Sequence, residues 1–117
     1  MKIKEDFCSV EITELLKAKG ADLETWALLP KHNPDGTSQM VEVPTHQAAM
    51  KWLREEKYII IFILPCNDDL GDFSYYYDIA TWDEDEGVYQ MNHASQWFHV
   101  YEKAVETAIK YALENLI

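Results

Sequence analysis

Apolar residues recur at helical spacing in three stretches of this chain and at strand spacing between them. Ile12, Leu15 and Leu16 make the stripe of a first helix, expected over residues 10–19. Ser9 stands where an N-cap oxygen accepts an unpaired amide of the first turn, and Gly20 where the chain leaves through a left-handed residue. Glu11 and Glu14 at the start and Lys17 and Lys19 at the end suit the helix dipole. Ala48, Ala49, Trp52 and Leu53 share a face of a second helix, expected over residues 46–56, with Thr45 as its cap. The last helix is the clearest element. Tyr101, Ala104, Val105, Ala108, Ile109, Ala112 and Leu116 follow the i, i+3, i+4 pattern, and Glu106 and Lys110 on the other face form an expected i, i+4 pair.

The strands are read from alternation and from turn residues. Residues 23–29 form a first strand with Trp26 and Leu28 on one face. Asn33-Pro34-Asp35-Gly36 turns the chain, because proline presets φ and glycine accepts a positive one, and residues 39–43 return. Residues 58–64 are apolar on both faces, which predicts a buried central strand ended by Pro65. Residues 73–82 alternate, with Phe73, Tyr75, Tyr77 and Ile79 on one face and Ser74, Tyr76, Asp78 and Ala80 on the other. Asp83 to Gly87 is a hairpin loop, Val88 to Met91 pairs back, and a short edge strand is expected at Gln96 to Phe98. The order is α-β-β-α-β-β-(β)-α. Hairpins imply an antiparallel sheet, and amphipathic helices need a sheet face to cover. The expected class is α+β: two layers, with an antiparallel sheet of four to five strands and three helices mainly on one face.

Length and composition narrow this picture. The chain has 117 residues, 48% of them hydrophobic, enough for one domain over residues 1–117 with a real core. Cys8 and Cys66 form no CxxC motif and no disulfide framework, and are expected as buried reduced thiols. The charged start Met1–Asp6 carries no apolar signal core, and the apolar run from Tyr58 to Cys66 is too short to span a bilayer, so a cytoplasmic location is expected. The net charge of −11 works against a nucleic-acid backbone, where lysine and arginine must meet phosphates. The basic strip of Lys51, Arg54 and Lys57 is too small to offset it.

The segment Pro44-Thr45-His46-Gln47-Ala48-Ala49-Met50-Lys51-Trp52-Leu53-Arg54-Glu55-Glu56 resembles the "PTQxxAxKWLRE" passage of a group of small uncharacterised proteins. These occur in gut bacteria of the Bacteroides type and in their phages and mobile elements. Tyr101-Glu102-Lys103-Ala104-Val105-Glu106 is similar to that group's "YEEALEAG", and the helix ending Leu15-Leu16-Lys17-Ala18-Lys19-Gly20 also matches in order. The resemblance covers structural segments and implies no catalytic residue or cofactor. It does favour a host-interaction role. His46 stands where the group usually has glutamine, and Val100 where it tends to have a capping threonine.

Candidate chemistry is sparse. No two of His32, His46, His93 and His99 have the i, i+4 or i, i+2 spacing of a metal site on a helix or strand. The acidic loop Asp83–Glu86 fails the EF-hand pattern, with glycine at position 5 rather than 6 and strands on both sides. There is no G-x-S-x-G, no Walker A and no G-x-G-x-x-G. No cofactor or metal is expected, and catalysis is disfavoured. Aromatic residues between Tyr75 and Phe98 are the most suggestive feature, because half of them must face away from the helices. The favoured reading is a non-enzymatic binding module. Its sheet face, with Tyr76, Trp82, Asp83, Asp85 and Glu86, would meet another protein or a second copy in a homodimer. A sharper version is an acidic decoy for a nucleic-acid-binding site on a host protein. The alternative is a small-molecule-binding protein or small enzyme with a pocket near His93, His99 and Asp78.

Overall fold

The structure, a computed structural model, describes residues 6–117. The charged residues 1–5, read above as carrying no signal core, lie outside the described residues. The elements are α1 (Val10–Ala18), β1 (Ala27–His32), β2 (Ser38–Val43), α2 (His46–Lys57), β3 (Ile59–Asn67), β4 (Phe73–Asp83), β5 (Val88–Met91) and α3 (Tyr101–Asn115). The class is α+β with the expected element order. The five antiparallel strands divide into two sheets, β1-β2 and β3-β4-β5.

Local signals account for the helix ends. The Ser9 hydroxyl accepts from the Ile12 amide at 3.2 Å, and Thr45 accepts from Ala48 at 3.1 Å. Gly20 leaves α1 at φ +88, and Tyr58 closes α2 in the left-handed region at φ +54, a position where a non-glycine residue carries strain. Val100 precedes α3 in extended conformation and makes no side-chain cap bond. The core lies between the three helices and one face of β3-β4-β5, built on Ile12, Leu16, Leu53, Ile79, Ile109 and Leu113.

Several expectations need correction. The first strand starts at Ala27, not Leu23, because its partner strand β2 ends at Val43, opposite Ala27, and Pro44 follows. The hairpin stands beside α1 as a separate sheet, with the Lys31 ammonium 2.6 Å from Glu14. Residues 59–67 are not a buried central strand. β3 is the outer strand of its sheet, half-buried along most of its length, and Pro65 lies within it opposite Tyr75. Proline is tolerated there because an edge strand has one side without ladder partners. In place of an edge strand at 96–98 there is one bridge, Tyr75 to Phe98. Lys110 does not pair with Glu106; its ammonium meets Glu11 of α1 at 2.7 Å. Among the described residues no helix is long and apolar enough to cross a membrane.

Candidate functional site

Register decides which side chains the β3-β4-β5 sheet turns away from the helices. Directly paired residues of an antiparallel ladder share a face. The pairs Ile61–Ile79 and Ile63–Tyr77 belong to the core, so the alternating pairs Ile60–Ala80, Phe62–Asp78 and Leu64–Tyr76 face the other way. β5 continues that outer face through Ala80–Met91 and Trp82–Tyr89. Among the described residues, no helix covers it. Phe62 is 39%, Trp82 44% and Met91 47% exposed. The Trp82 and Tyr89 rings meet edge to face, with centroids 5.1 Å apart. Beyond β5 the chain returns along β4: the Ser95 amide donates to the Tyr77 carbonyl, and Phe98 and Tyr75 exchange backbone bonds. By the same alternation Trp97 and His99 stand on the outer side with Ser74 and Tyr76.

Acidic turns close both ends of this face. The turn before β4 carries Asp68, Asp69 and Asp72, and the turn after it carries Asp83, Glu84, Asp85 and Glu86. Asp68 holds its own turn together, because its Oδ1 accepts the amides of Leu70 and Asp72, both at 2.9 Å. Asp83 holds the other, with Oδ1 accepting from Asp85 at 3.0 Å and Glu86 at 3.2 Å, and Oδ2 from Gln90 at 2.9 Å. Glu84, Asp85 and Glu86 are exposed.

Three polar clusters could be mistaken for catalytic groups. Around α1, Glu106 Oε1 accepts the Ser9 amide at 2.8 Å and lies 2.7 Å from His46 Nε2, and Oε2 accepts the Ser9 hydroxyl at 3.0 Å. Burial pushes the Glu106 carboxyl up, but the hydrogen bonds from His46 and Ser9 and the attraction of His46 outweigh it, so it sits below its ordinary range. Cys8 lies beside this cluster with its thiol 3.6 Å from the Thr45 carbonyl. Burial first, and the Glu106 charge second, push that thiol up to about 12, so it stays protonated and unreactive at neutral pH. The Ser9 hydroxyl is engaged twice, donating to Glu106 and accepting from the Ile12 amide at the α1 cap. The cluster joins the starts of α1 and α2 to α3.

The second cluster has the composition of a serine triad. His99 Nδ1 lies 3.3 Å from the Ser74 hydroxyl, and Nε2 lies 3.7 Å from Asp68. Ser74 is fully buried and its hydroxyl donates to the Asp72 carbonyl at 3.3 Å. The 3.7 Å contact between His99 and Asp68 is longer than a hydrogen bond. In the third cluster, Tyr111 lies 3.4 Å from His93 Nδ1, while Asp78 Oδ1 accepts the backbone amides of Ile79 at 2.8 Å and His93 at 3.3 Å.

Of the five residues singled out in the sequence, half-buried Tyr76 and exposed Trp82 lie on the side away from the helices, Asp83, paired with Val88, alternates to the other side, and Asp85 and Glu86 lie exposed in the turn after β4. Asp78 sits mid-face between Tyr76 and Ala80, on the side away from the helices. His93, His99 and Asp78 do not converge: Asp78 binds the His93 backbone, while the His99 ring belongs with Asp68, Ser74 and Trp97. Clefts of about 270 to 350 Å³ flank α2 and the hairpin, lined by Arg54 and Ile61, by Trp52 and Lys51, and by Trp26 and Glu42. None of these clefts is lined by His93, His99 or Asp78. Sequence reasoning missed the Ser9–His46–Glu106 cluster, whose members lie 60 and 97 residues apart in the chain. Cys66 is half-buried rather than buried. Among the described residues, no group of three or more His, Cys, Asp or Glu side chains is placed to hold a metal ion. Comparison of the chain with protein-family models, with curated proteins and with solved structures gave no match.

Proposed function

We propose that this protein is a non-enzymatic binding module whose helix-free sheet face docks another protein. One observation carries the reading: an exposed apolar face, with Phe62, Trp82, Tyr89 and Met91 on three adjacent strands, bounded by acidic turns. Scattered exposed apolar side chains are normal, but a contiguous patch rimmed by polar residues marks an interaction surface. Aromatic anchors inside a charged rim are the composition of binding hot spots.

Phe62→Lys and Trp82→Gln test the reading. Phe62→Lys places an ammonium opposite Asp78, a favourable cross-strand pair, so the fold should tolerate it. Association, measured as native mass and as retention of bound protein, should fall in both variants. It should persist in Leu28→Gln, which changes the exposed hairpin instead. Asp85→Asn with Glu86→Gln should weaken association and reduce its dependence on salt. Asp83 is left intact because it holds the turn. Association that is equal in wild type and Phe62→Lys would overturn the reading.

A further inference from the structure

Resting on that reading, we infer that the occupant of the open face is a cationic amphipathic helix supplied by another protein. β3 lies beside β4 along its 9 residues and β5 adds a third strand over 4, so at strand spacings of about 4.8 Å the face is on the order of 10–14 Å wide, and one helix with its side chains is about 10–12 Å across. A single helix laid over the face reaches Phe62 on β3 and Trp82, Tyr89 and Met91 on β4 and β5, passing over Asp78 and Ala80 between them. It would complete an α/β/α arrangement around a sheet that, among the described residues, has helices on one side only. β4 is 11 residues long, so its two end turns stand on the order of 35 Å apart. A helix of about 20 residues spans about 30 Å.

Charge settles the chemistry of that helix. Acid stands at both ends of the face, in the turns 68–72 and 83–86, and Asp78 stands near the middle. Lysine or arginine near both ends of the docked helix meets the two acidic turns, a third cation midway meets Asp78, and leucine-like residues between them meet Phe62 and Trp82. A second copy of this chain is disfavoured by the same features. It would bring a charge of −11 against −11.

The test uses a synthetic peptide of about 20 residues, one that matches the length of the face, with leucine and alanine along one side, lysines at both ends and one lysine midway to meet Asp78. A control peptide carries glutamates in place of the lysines. Binding to the full chain is followed by calorimetry, and helix formation by circular dichroism of the peptide in the complex. The expected result is one peptide per chain, helical when bound, with affinity falling at least about tenfold between roughly 50 and 300 mM salt. Phe62→Lys should weaken it at least about tenfold, Leu28→Gln should leave it unchanged, and the glutamate peptide should not bind. Absence of binding, or binding equally strong to Phe62→Lys, would overturn the helix proposal. If the peptide fails while Phe62→Lys still disrupts an association of the native protein, the open face remains the docking surface and its occupant is not a cationic helix. If Phe62→Lys changes neither association, both readings fall.

Discussion

Glu106 of α3 closes the N-terminus of α1 from the far end of the chain, taking the Ser9 amide at 2.8 Å and the Ser9 hydroxyl at 3.0 Å. The carboxylate does for α1 what an acidic residue of its own first turn would do, meeting an unpaired amide where the helix dipole is positive. It also takes the ring N–H of His46 at the start of α2, so one side chain ties three helices together. Hydrogen bonds to a charged group are worth about 1.5–3 kcal/mol each, and fewer than all of them are independent. Glu106→Ala should therefore cost about 2–4 kcal/mol and lower the melting temperature by roughly 10 °C. His46→Gln, which keeps a donor, should cost less than half of what His46→Leu costs. Thermal unfolding of the four proteins side by side checks both statements.

The same carboxylate makes stability depend on acid. Its folded value lies below the ordinary 4.5. The unfolded chain therefore takes up a proton first as pH falls, and the contribution of Glu106 is present above about pH 4.5 and lost below it. Chemical denaturation from neutral pH down into the acid range should show a steeper loss for the wild type than for Glu106→Ala. Parallel curves would remove Glu106 as the cause.

Cys8 and Cys66 should behave as different thiols. Cys8 is fully buried and held protonated up to about 12, whereas Cys66 is half-buried near the end of β3. A thiol reagent at mildly alkaline pH should label Cys66 within minutes and Cys8 only as the protein unfolds. Because the unfolded Cys8 ionises near 9.0, the folded protein loses stability as pH rises from about 9 toward 12, and Cys8→Ala should flatten that loss. Equal labelling rates for the two cysteines in the native protein would contradict this assignment.

α3 begins without a side-chain cap, because Val100 has no oxygen to offer although its backbone is already extended. Val100 is exposed, so replacing it costs little packing. Val100→Ser or Val100→Thr should stabilise the protein by about 0.5–1 kcal/mol, seen as a rise of a few degrees in melting temperature. No change would show that the start of α3 is already satisfied by other donors and acceptors.

Local chemistry was legible in the chain. Ser9, Thr45 and Gly20 mark helix ends by their own hydroxyls or by freedom in φ, and Asn33 to Gly36 and Asp83 to Gly87 mark turns within a few residues. Alternation along residues 73–82 was enough to separate Tyr77 and Ile79 from Tyr76 and Asp78, because successive strand side chains must point to opposite faces. The length of the apolar run in 59–64 was equally plain, but its place was not. An edge strand and a central strand share one composition when one side of the edge is covered by a helix, and only pairing shows that β3 has a single neighbour. The division into two sheets was hidden for the same reason, since no local signal says that β2 will not reach β3. Glu106 was misread as a surface partner of Lys110 because helical spacing reports neighbours on one helix only. Its real partners, Ser9 and His46, come from chain segments 97 and 60 residues away. Caps, turns and faces were thus determined by interactions within a few residues. Edge position, sheet division and the Ser9–His46–Glu106 cluster were decided by tertiary packing, because their energies arise between segments that meet only once the chain has folded.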